Sequence, residues 1–272
     1  MVKQPRSSSS RIKNIARNSL EAIRRQLDFE RRTLAPEGCI LETLPHVSRL
    51  SCADPQRHMI TFSSFSDDIA DGVIAEQAAH YRALAAQVEW KLYQHDWPPD
   101  LLQRLERYGF LPGPRESVLV FDLQEQRSWI DEPAAHSITC IESGEQVNRY
   151  RQSAEEIFER EHQGIVAELL SGIRRGSTRQ RGYIAMDGRA AVSIGRLYTD
   201  PQSAFGGLYG GGTPKQYRGL GLYRAMVAAR ARAARNAGAR FLIVDALPTS
   251  RPILENLGFV RLTDTWPCTL NI

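Results

Sequence analysis

The 272-residue sequence has few features that would announce a site by themselves. Its 4 cysteines, Cys39, Cys52, Cys140 and Cys268, are scattered. No Cys-x-x-Cys pair and no cluster of His, Cys, Asp or Glu with ligand spacing occurs, so neither a zinc module nor any other metal site is expected. The isolated cysteines read as reduced thiols of a cytoplasmic protein. No apolar run is long enough to cross a bilayer, and the start carries no apolar signal core, so no membrane partner is expected. The basic, Ser-rich opening leaves an organelle transit peptide as the alternative to a plain tail. The formal charge of +4 is small and spread along the chain, which gives no ground for a nucleic-acid partner.

One absence is local. Between Gly206 and Arg240 there is no carboxylate at all. That stretch contains the densest glycine pattern of the chain, Gly210-Gly211-Gly212-Thr213-Pro214-Lys215-Gln216-Tyr217-Arg218-Gly219-Leu220-Gly221-Leu222. A strand-like Phe205–Tyr209 precedes it. An Ala/Arg-rich helix from Leu222 to about Ala237 follows, with Gly238 as its stop. Phe241–Val244 then reads as a buried strand. A helix start has free N–H groups and partial positive charge, and glycines let a phosphate approach them. Arg218 and Lys215 add formal charge. The stretch reads as a polyphosphate cradle.

It is not a P-loop, because Gly221 is followed by Leu222 rather than Lys. It is not a dinucleotide fingerprint, because the third small position is Arg224. Gln216-Tyr217-Arg218-Gly219-Leu220-Gly221 does match Gln-x-x-Gly-x-Gly. With the flanking strands and a short closing helix ending in Leu257-Gly258-Phe259, it resembles the acyl-CoA loop of the GNAT N-acetyltransferase superfamily. The resemblance covers about Ala134 to Ile272 well and the leading half loosely.

Along the chain, Met1 to about Lys13 reads as a disordered tail and Asn18–Leu34 as a charged helix. Ile40–Leu50 and Met59–Phe62 read as strands, Asp71–Ala86 as a helix, and Val88–Tyr93 as an alternating strand. Pro98-Pro99-Asp100 opens a helix ending near Gly109-Phe110, and Val118–Leu123 is a strand. The polar segment from Glu125 to about Ala135 reads as a junction. Two amphipathic helices lie between Ser143 and Ser171. Strands follow at Gly182–Met186 and Ala190–Tyr198, joined by an Asp187-Gly188 turn. The segment order of the first half repeats in the second. The expected fold class is therefore α/β (α+β): a mixed central sheet flanked by helices, with a partial, degenerate copy at the N-terminus. The division is 1–15 tail, 16–128 degenerate GNAT-like half, 134–272 GNAT half. Asp67, Asp68 and Asp71 at the first copy's central helix would repel a diphosphate, so that copy should not bind coenzyme.

The resemblance implies acetyl transfer from acetyl-CoA to an amine by direct attack. It assigns coenzyme binding to Gly211, Gly212, Thr213, Gln216, Tyr217, Arg218, Gly219, Leu220, Gly221 and Leu222. Family members often carry a Tyr five residues before the closing Phe; here that position is Leu254. Ser250 and Tyr209 are the hydroxyls left as catalytic candidates, against the bland readings of helix cap and packing. The central strand has no Glu to act as base, so a water or Glu89, His95 or Asp96 would take the proton. Trp90, Tyr93, His95 and Trp97 read as a binding stripe or as strand aromatics turned inward. Arg224, Arg230, Arg232 and Arg235 read as a solvated helix face rather than a nucleic-acid or 3′-phosphate contact. Asp245 reads as a loop cap. The expected partner is a small-molecule or peptide amine, and a homodimer stays open. The other class of function is a non-catalytic acyl-CoA-binding sensor or scaffold, motivated by the missing Tyr and Glu.

Overall fold

The computed structural model describes residues 8–53, 56–132 and 136–271. Helix α1 (Ser8–Thr33) leads into β1 (Cys39–Thr43), β2 (Val47–Ala53) and β3 (Gln56–Ser63). Helix α2 (Ala70–Ala83), β4 (Val88–Tyr93), α3 (Leu101–Arg107), β5 (Leu111–Pro112) and β6 (Glu116–Asp122) complete the first half. After α4 (Ser128–Asp131) and β7 (Ile138–Cys140) come α5 (Gly144–Phe158) and α6 (Gln163–Arg174). The rest is β8 (Gln180–Asp187), β9 (Ala190–Tyr198), β10 (Phe205–Gly212), α7 (Leu222–Asn236), β11 (Phe241–Ala246), α8 (Arg251–Asn256) and β12 (Val260–Leu270).

All strands join one sheet in the order β1-β2-β3-β4-β12-β6-β11-β10-β9-β8-β7, with β5 on β12. The order shows an exchange. β12, the last strand, pairs antiparallel with β4 of the first half, while β6 of the first half pairs antiparallel with β11 of the second. The two exchanged strands pair with each other at the centre. Each half is thus completed by a strand from the other.

The repeat is visible in the helices as well. On α2 the buried residues Val73, Ile74, Gln77, Ala78 and Tyr81 follow the spacing of Met226, Val227, Arg230, Ala231 and Ala234 on α7. One core packs α7 and α8 on β6, β10 and β11, through Met226, Val227, Leu242, Leu254 and Phe259. The matching core packs α2 and α3 on β3, β4 and β12, through Ile74, Tyr81, Trp90, Leu105 and Cys268. Trp90 is fully buried between Phe65 and Phe110, so this aromatic is core, whereas Trp97 is exposed.

On the opposite face α1 clamps the seam. Its Leu27 packs with Tyr93, Val118 and Phe205, which come from both halves. Buried Glu30 accepts from the backbone N–H of Ala204 at 2.8 Å. The sequence read this helix as merely charged, starting at Asn18. It is helical from Ser8, so residues 8–13 of the expected tail are helix, while residues 1–7 of that tail lie outside the described residues.

Other expectations need correction. Ile40–Leu50 is not one strand: Pro45 sits in the turn between β1 and β2. The junction carries α4, whose Trp129 and Ile130 are buried against α7, because its apolar residues need cover. Cys39 and Cys52 are not free thiols. The β1/β2 register sets them opposite each other with Cα atoms 4.2 Å apart, and they form a disulfide. Cys140 and Cys268 remain free, so the thiol argument for the cytoplasm loses half its residues. Among the described residues, no helix is long and apolar enough to cross a membrane.

The exchanged strands meet at a buried carboxylate. Asp264 of β12 is fully buried and accepts from Arg115, from Arg261 Nε at 2.8 Å and from Ser117 at 3.2 Å. Hydrogen bonds from the two guanidiniums hold its carboxyl down at about 2 despite burial. A depressed folded-state value stabilises above the unfolded value near 4, and the gain is lost as pH falls through about 2. Asp264→Asn should therefore be less stable than the parent at pH 7 and lose less stability between pH 4 and pH 2. Urea denaturation across that range reads both.

Candidate active site

The site begins where two parallel strands part. β10 and β11 pair only from Phe205 with Phe241 to Gly207 with Ile243. Beyond that β11 turns to β6 and β10 turns to β9, and a slot opens between them. A bulge between Tyr209 and Gly212 shifts the β10/β9 register and bends β10 away from β11. Gly210 takes φ +51° in that bulge. Buried Ser193 fixes the end of β10, donating to the Gly212 carbonyl at 3.1 Å and meeting the Thr213 hydroxyl at 3.2 Å. Ile157 and Phe158 of α5 press on Gly212, leaving no room for a side chain there.

The glycine loop crosses from β10 to the start of α7. Gly219 and Gly221 both take φ +80°, which only glycine adopts without strain, and the space where a side chain would stand is open at each. Among the described residues, no hydrogen bond takes the N–H groups of Gly219 through Arg224; the first helical bond is Ala225 N–H to the Gly221 carbonyl at 3.0 Å. These free donors sit at the positive end of a 15-residue helix. Arg218 Nε reaches back to the Thr213 carbonyl at 3.1 Å and holds the loop. Tyr217 and Leu222 pack with Ala185 and Val192, which anchors the two ends of the loop. Leu220 is exposed, and a cavity of about 310 Å³ opens beside it, lined in part by His136, Asp187 and Tyr217.

The loop is less free of carboxylates in space than in sequence. Gln216 donates to Glu156 of α5 at 2.9 Å, and Lys215 lies 3.9 Å from Glu159. Both members of the second pair are strongly exposed, so it counts for little.

Tyr209 and Ser250 fall on opposite faces of the sheet. Tyr209 lies on the α1 side, its ring folded over Gly207, where a Cβ would come within 2.6 Å of the ring. The residue is 46% exposed, yet desolvation at its hydroxyl raises that group above the ordinary value, and nearby Asp245 raises it further. Ser250 lies on the α7 side, donates to Leu247 at 3.2 Å and makes no helix-capping bond. Burial raises the hydroxyl of Tyr223 above its ordinary value, while Arg230 and Ser250 lower it. Tyr223 was missed in the sequence; its ring edge stands 3.3 Å from where a Cβ on Gly211 would be.

The loop-cap reading of Asp245 needs correction. It is part of β11, not a loop cap, and its carboxylate lies 2.8 Å from Lys91 Nζ of β4. Lys91 also meets Glu116 of β6 at 3.4 Å. The three come from both halves and share with Tyr209 the face covered by α1. Burial raises the Glu116 carboxyl, and Asp245 with Glu116 holds Lys91 charged against the cost of burial. Of the first-half bases suggested by the sequence, His95 is bound to Asp28 at 3.0 Å and Asp96 to Arg31 at 2.9 Å, so both are already committed. Glu89 stays half-buried on β4.

The arginine row on α7 is a solvated face only in part: Arg224 and Arg235 are exposed, Arg232 is half-buried and Arg230 turns inward. Arg230 is 1% exposed, Arg232 donates to the Ile130 carbonyl, and Arg235 pairs with Asp131. Arg224 lies 3.6 Å from Glu132.

The first half has the same slot, and it is plugged. β3 and β4 pair in parallel only at Met59 with Glu89 and Ile60 with Trp90, and β3 also carries a bulge. Arg31 of α1 fills the opening. Its Nε donates to the Thr61 carbonyl of β3 at 2.8 Å and its Nη2 reaches the Lys91 carbonyl of β4 at 3.5 Å. Asp96 takes both terminal nitrogens, at 3.0 and 2.9 Å, and also accepts from the Tyr93 N–H. The guanidinium stacks 3.9 Å over Tyr93. At the start of α2, Asp67 and Asp71 are held by Arg104 rather than left open. Asp28, His95 and Asp96 bring possible metal-ligand atoms within 4.8 Å of one another, a grouping the sequence spacing hid, but Arg31 already supplies its cation.

No protein-family model matches the chain, and no curated protein matches it. Solved structures do match. One is a functionally unknown conserved protein from Staphylococcus epidermidis, with 13% identity, TM-score 0.61, and 88% of this chain and 96% of that chain covered. A second is a GCN5-related N-acetyltransferase from Kribbella flavida, with 13% identity, TM-score 0.59, and 93% and 94% covered. A third is a tandem GNAT protein from the clavulanic acid biosynthesis pathway, with 14% identity, TM-score 0.57, and 89% and 86% covered. The chain therefore has the fold of the GNAT N-acetyltransferases, in a two-part arrangement like that of a tandem GNAT protein.

Proposed function

We propose that this protein is an acyl-CoA-dependent N-acyltransferase, with acetyl-CoA as donor and an amine as acceptor. One observation carries the reading: a parted strand pair, bulged at Gly210, leads directly to a helix start whose glycines leave their N–H groups free. The N–H groups of Gly219 to Leu222 would hold the diphosphate. The pantetheine arm would lie along the unpaired edge of β10, exchanging backbone hydrogen bonds as an added strand does. A backbone N–H of the bulge would then face the thioester oxygen.

The acceptor amine enters from the α1 face, where Tyr209 is 46% exposed. Asp245 stands there as the carboxylate able to receive the amine's proton, with Lys91 Nζ 2.8 Å away. Asp245→Asn is expected to lower kcat/KM about a hundredfold with coenzyme affinity unchanged. Thiol release from acetyl-CoA with a panel of small amines and peptide N-termini measures this. Coenzyme binding with no amine turnover would favour the sensor reading.

A further inference from the structure

Arg230 is a fully buried cation without a carboxylate. The groups that face it are Tyr150 of α5, Tyr183 of β8, Tyr223 of α7 and Arg196 of β9. It donates through Nε to the Met226 carbonyl at 3.2 Å, and through Nη1 to the carbonyls of Arg196 at 3.1 Å and Tyr209 at 3.4 Å. Among the described residues, none accepts from Nη2. That nitrogen points at the bulge: a Cβ on Gly211 would stand 3.0 Å from it and 3.3 Å from the Tyr223 ring. Arg230 and the Tyr223 ring therefore pack directly against Gly211, beside the slot between β10 and β11, and Nη2 is the donor left over there.

Burying such a charge is expensive, and burial pushes Arg230 below its ordinary value, although a guanidinium stays charged in proteins. Holding the bulge does not require it. The first half puts Gln77 at the matching helix position, buried and hydrogen-bonded to Arg49 of β2 at 2.7 Å, and that half also bulges. There the buried Arg49 guanidinium is met by carboxylates, Glu42 at 3.4 Å and Glu76 at 3.7 Å, whereas Arg230 has none among the described residues.

We propose that Arg230 is the fixed positive charge of the thioester site, neutralising the negative charge that forms there during transfer. The inference rests on the acyltransferase reading. The amine lone pair forms the C–N bond, and the carbonyl oxygen gains the displaced electron pair. As the carbonyl re-forms, the C–S bond breaks, its electrons stay on sulfur, and the nitrogen proton passes to Asp245 or water. Arg230 Nη2 faces both charged stages at short range in a dry setting, where a preorganised donor is worth most.

The test reads the sulfur directly. CoA bound to the protein is titrated with pH, and its thiolate is followed by ultraviolet absorbance beside free CoA. Bound to the parent, the thiol should ionise at least about one pH unit below free CoA. Arg230→Gln, which keeps a donor for the carbonyls, should return the titration to the free position and lower kcat at least about tenfold with the Kd for CoA little changed. Arg230→Lys should retain most of the shift. If the parent's bound thiol titrates like free CoA, the proposal fails without any variant being needed. It also fails if Arg230→Gln titrates like the parent, since Arg230 is then only a strut. If the parent binds no CoA, the acyltransferase reading falls first, and calorimetry shows that separately.

Discussion

Valine at both Gly219 and Gly221 is expected to weaken acetyl-CoA binding by more than about a hundredfold while the protein stays folded. Each position has φ +80° and open space around it. A β-branched residue in that conformation costs about 1–3 kcal/mol. Between its anchors at Tyr217 and Leu222 the loop is open at both glycines, so that stretch will move to a strain-free shape. The N–H groups at the head of α7 then no longer converge. A new side chain would also occupy the open space through which a diphosphate must approach. About 1.4 kcal/mol is a tenfold change in affinity, so two losses of about 2 kcal/mol each exceed a hundredfold. The body of α7 is anchored by Met226, Val227 and Ala231 in the main core, so thermal stability should change little. Calorimetric titration with acetyl-CoA, beside a melting curve, separates loss of binding from loss of fold.

The second large effect concerns the plugged slot. Arg31→Met should destabilise the protein by about 3–5 kcal/mol, the range for breaking a buried ion pair on one side. Arg31 and Asp96 side chains are 6% and 3% exposed, so Asp96 would be stranded in the interior. Its removal also frees the Thr61 and Lys91 carbonyls where β3 and β4 part. The double variant Arg31→Met with Asp96→Leu should recover much of the loss, because no charge is then left unpaired. Urea unfolding of parent, single and double variants measures the coupling. A loss under about 1 kcal/mol in the single variant would mean that the plug is not what closes this half.

Both effects concern the same architectural element, and only one was readable from the chain. The α7 cradle is local: glycines, free helix donors and an Ala-rich helix lie within a few turns of one another. Val88–Tyr93 was equally plain, because its buried Val88, Trp90 and Leu92 alternate with Glu89 and Lys91 on the other face. The plug joins α1 to residues 30 and 65 positions away, and nothing in a charged helix announces that one arginine turns inward. Arg230 escaped for the same reason. Charged residues on an Ala-rich helix read as solvated, and only the pairing of Gly195 and Gly211 against it shows the space made for a guanidinium. The exchange of β6 and β12 is a matter of sheet order, which segment succession does not determine. Tyr223 went unnoticed and Asp245 was read only as a loop cap, because their neighbours, Ser250 and Lys91, are brought to them by that order.

The central claim is that one of two similar slots is open and the other is closed by the protein's own arginine. Titrating acetyl-CoA into the intact protein by calorimetry tests this most directly. The account predicts saturable binding of one coenzyme per chain, abolished by valine at Gly219 and Gly221. Two coenzymes per chain, binding that survives those substitutions, or no heat at millimolar coenzyme would contradict it.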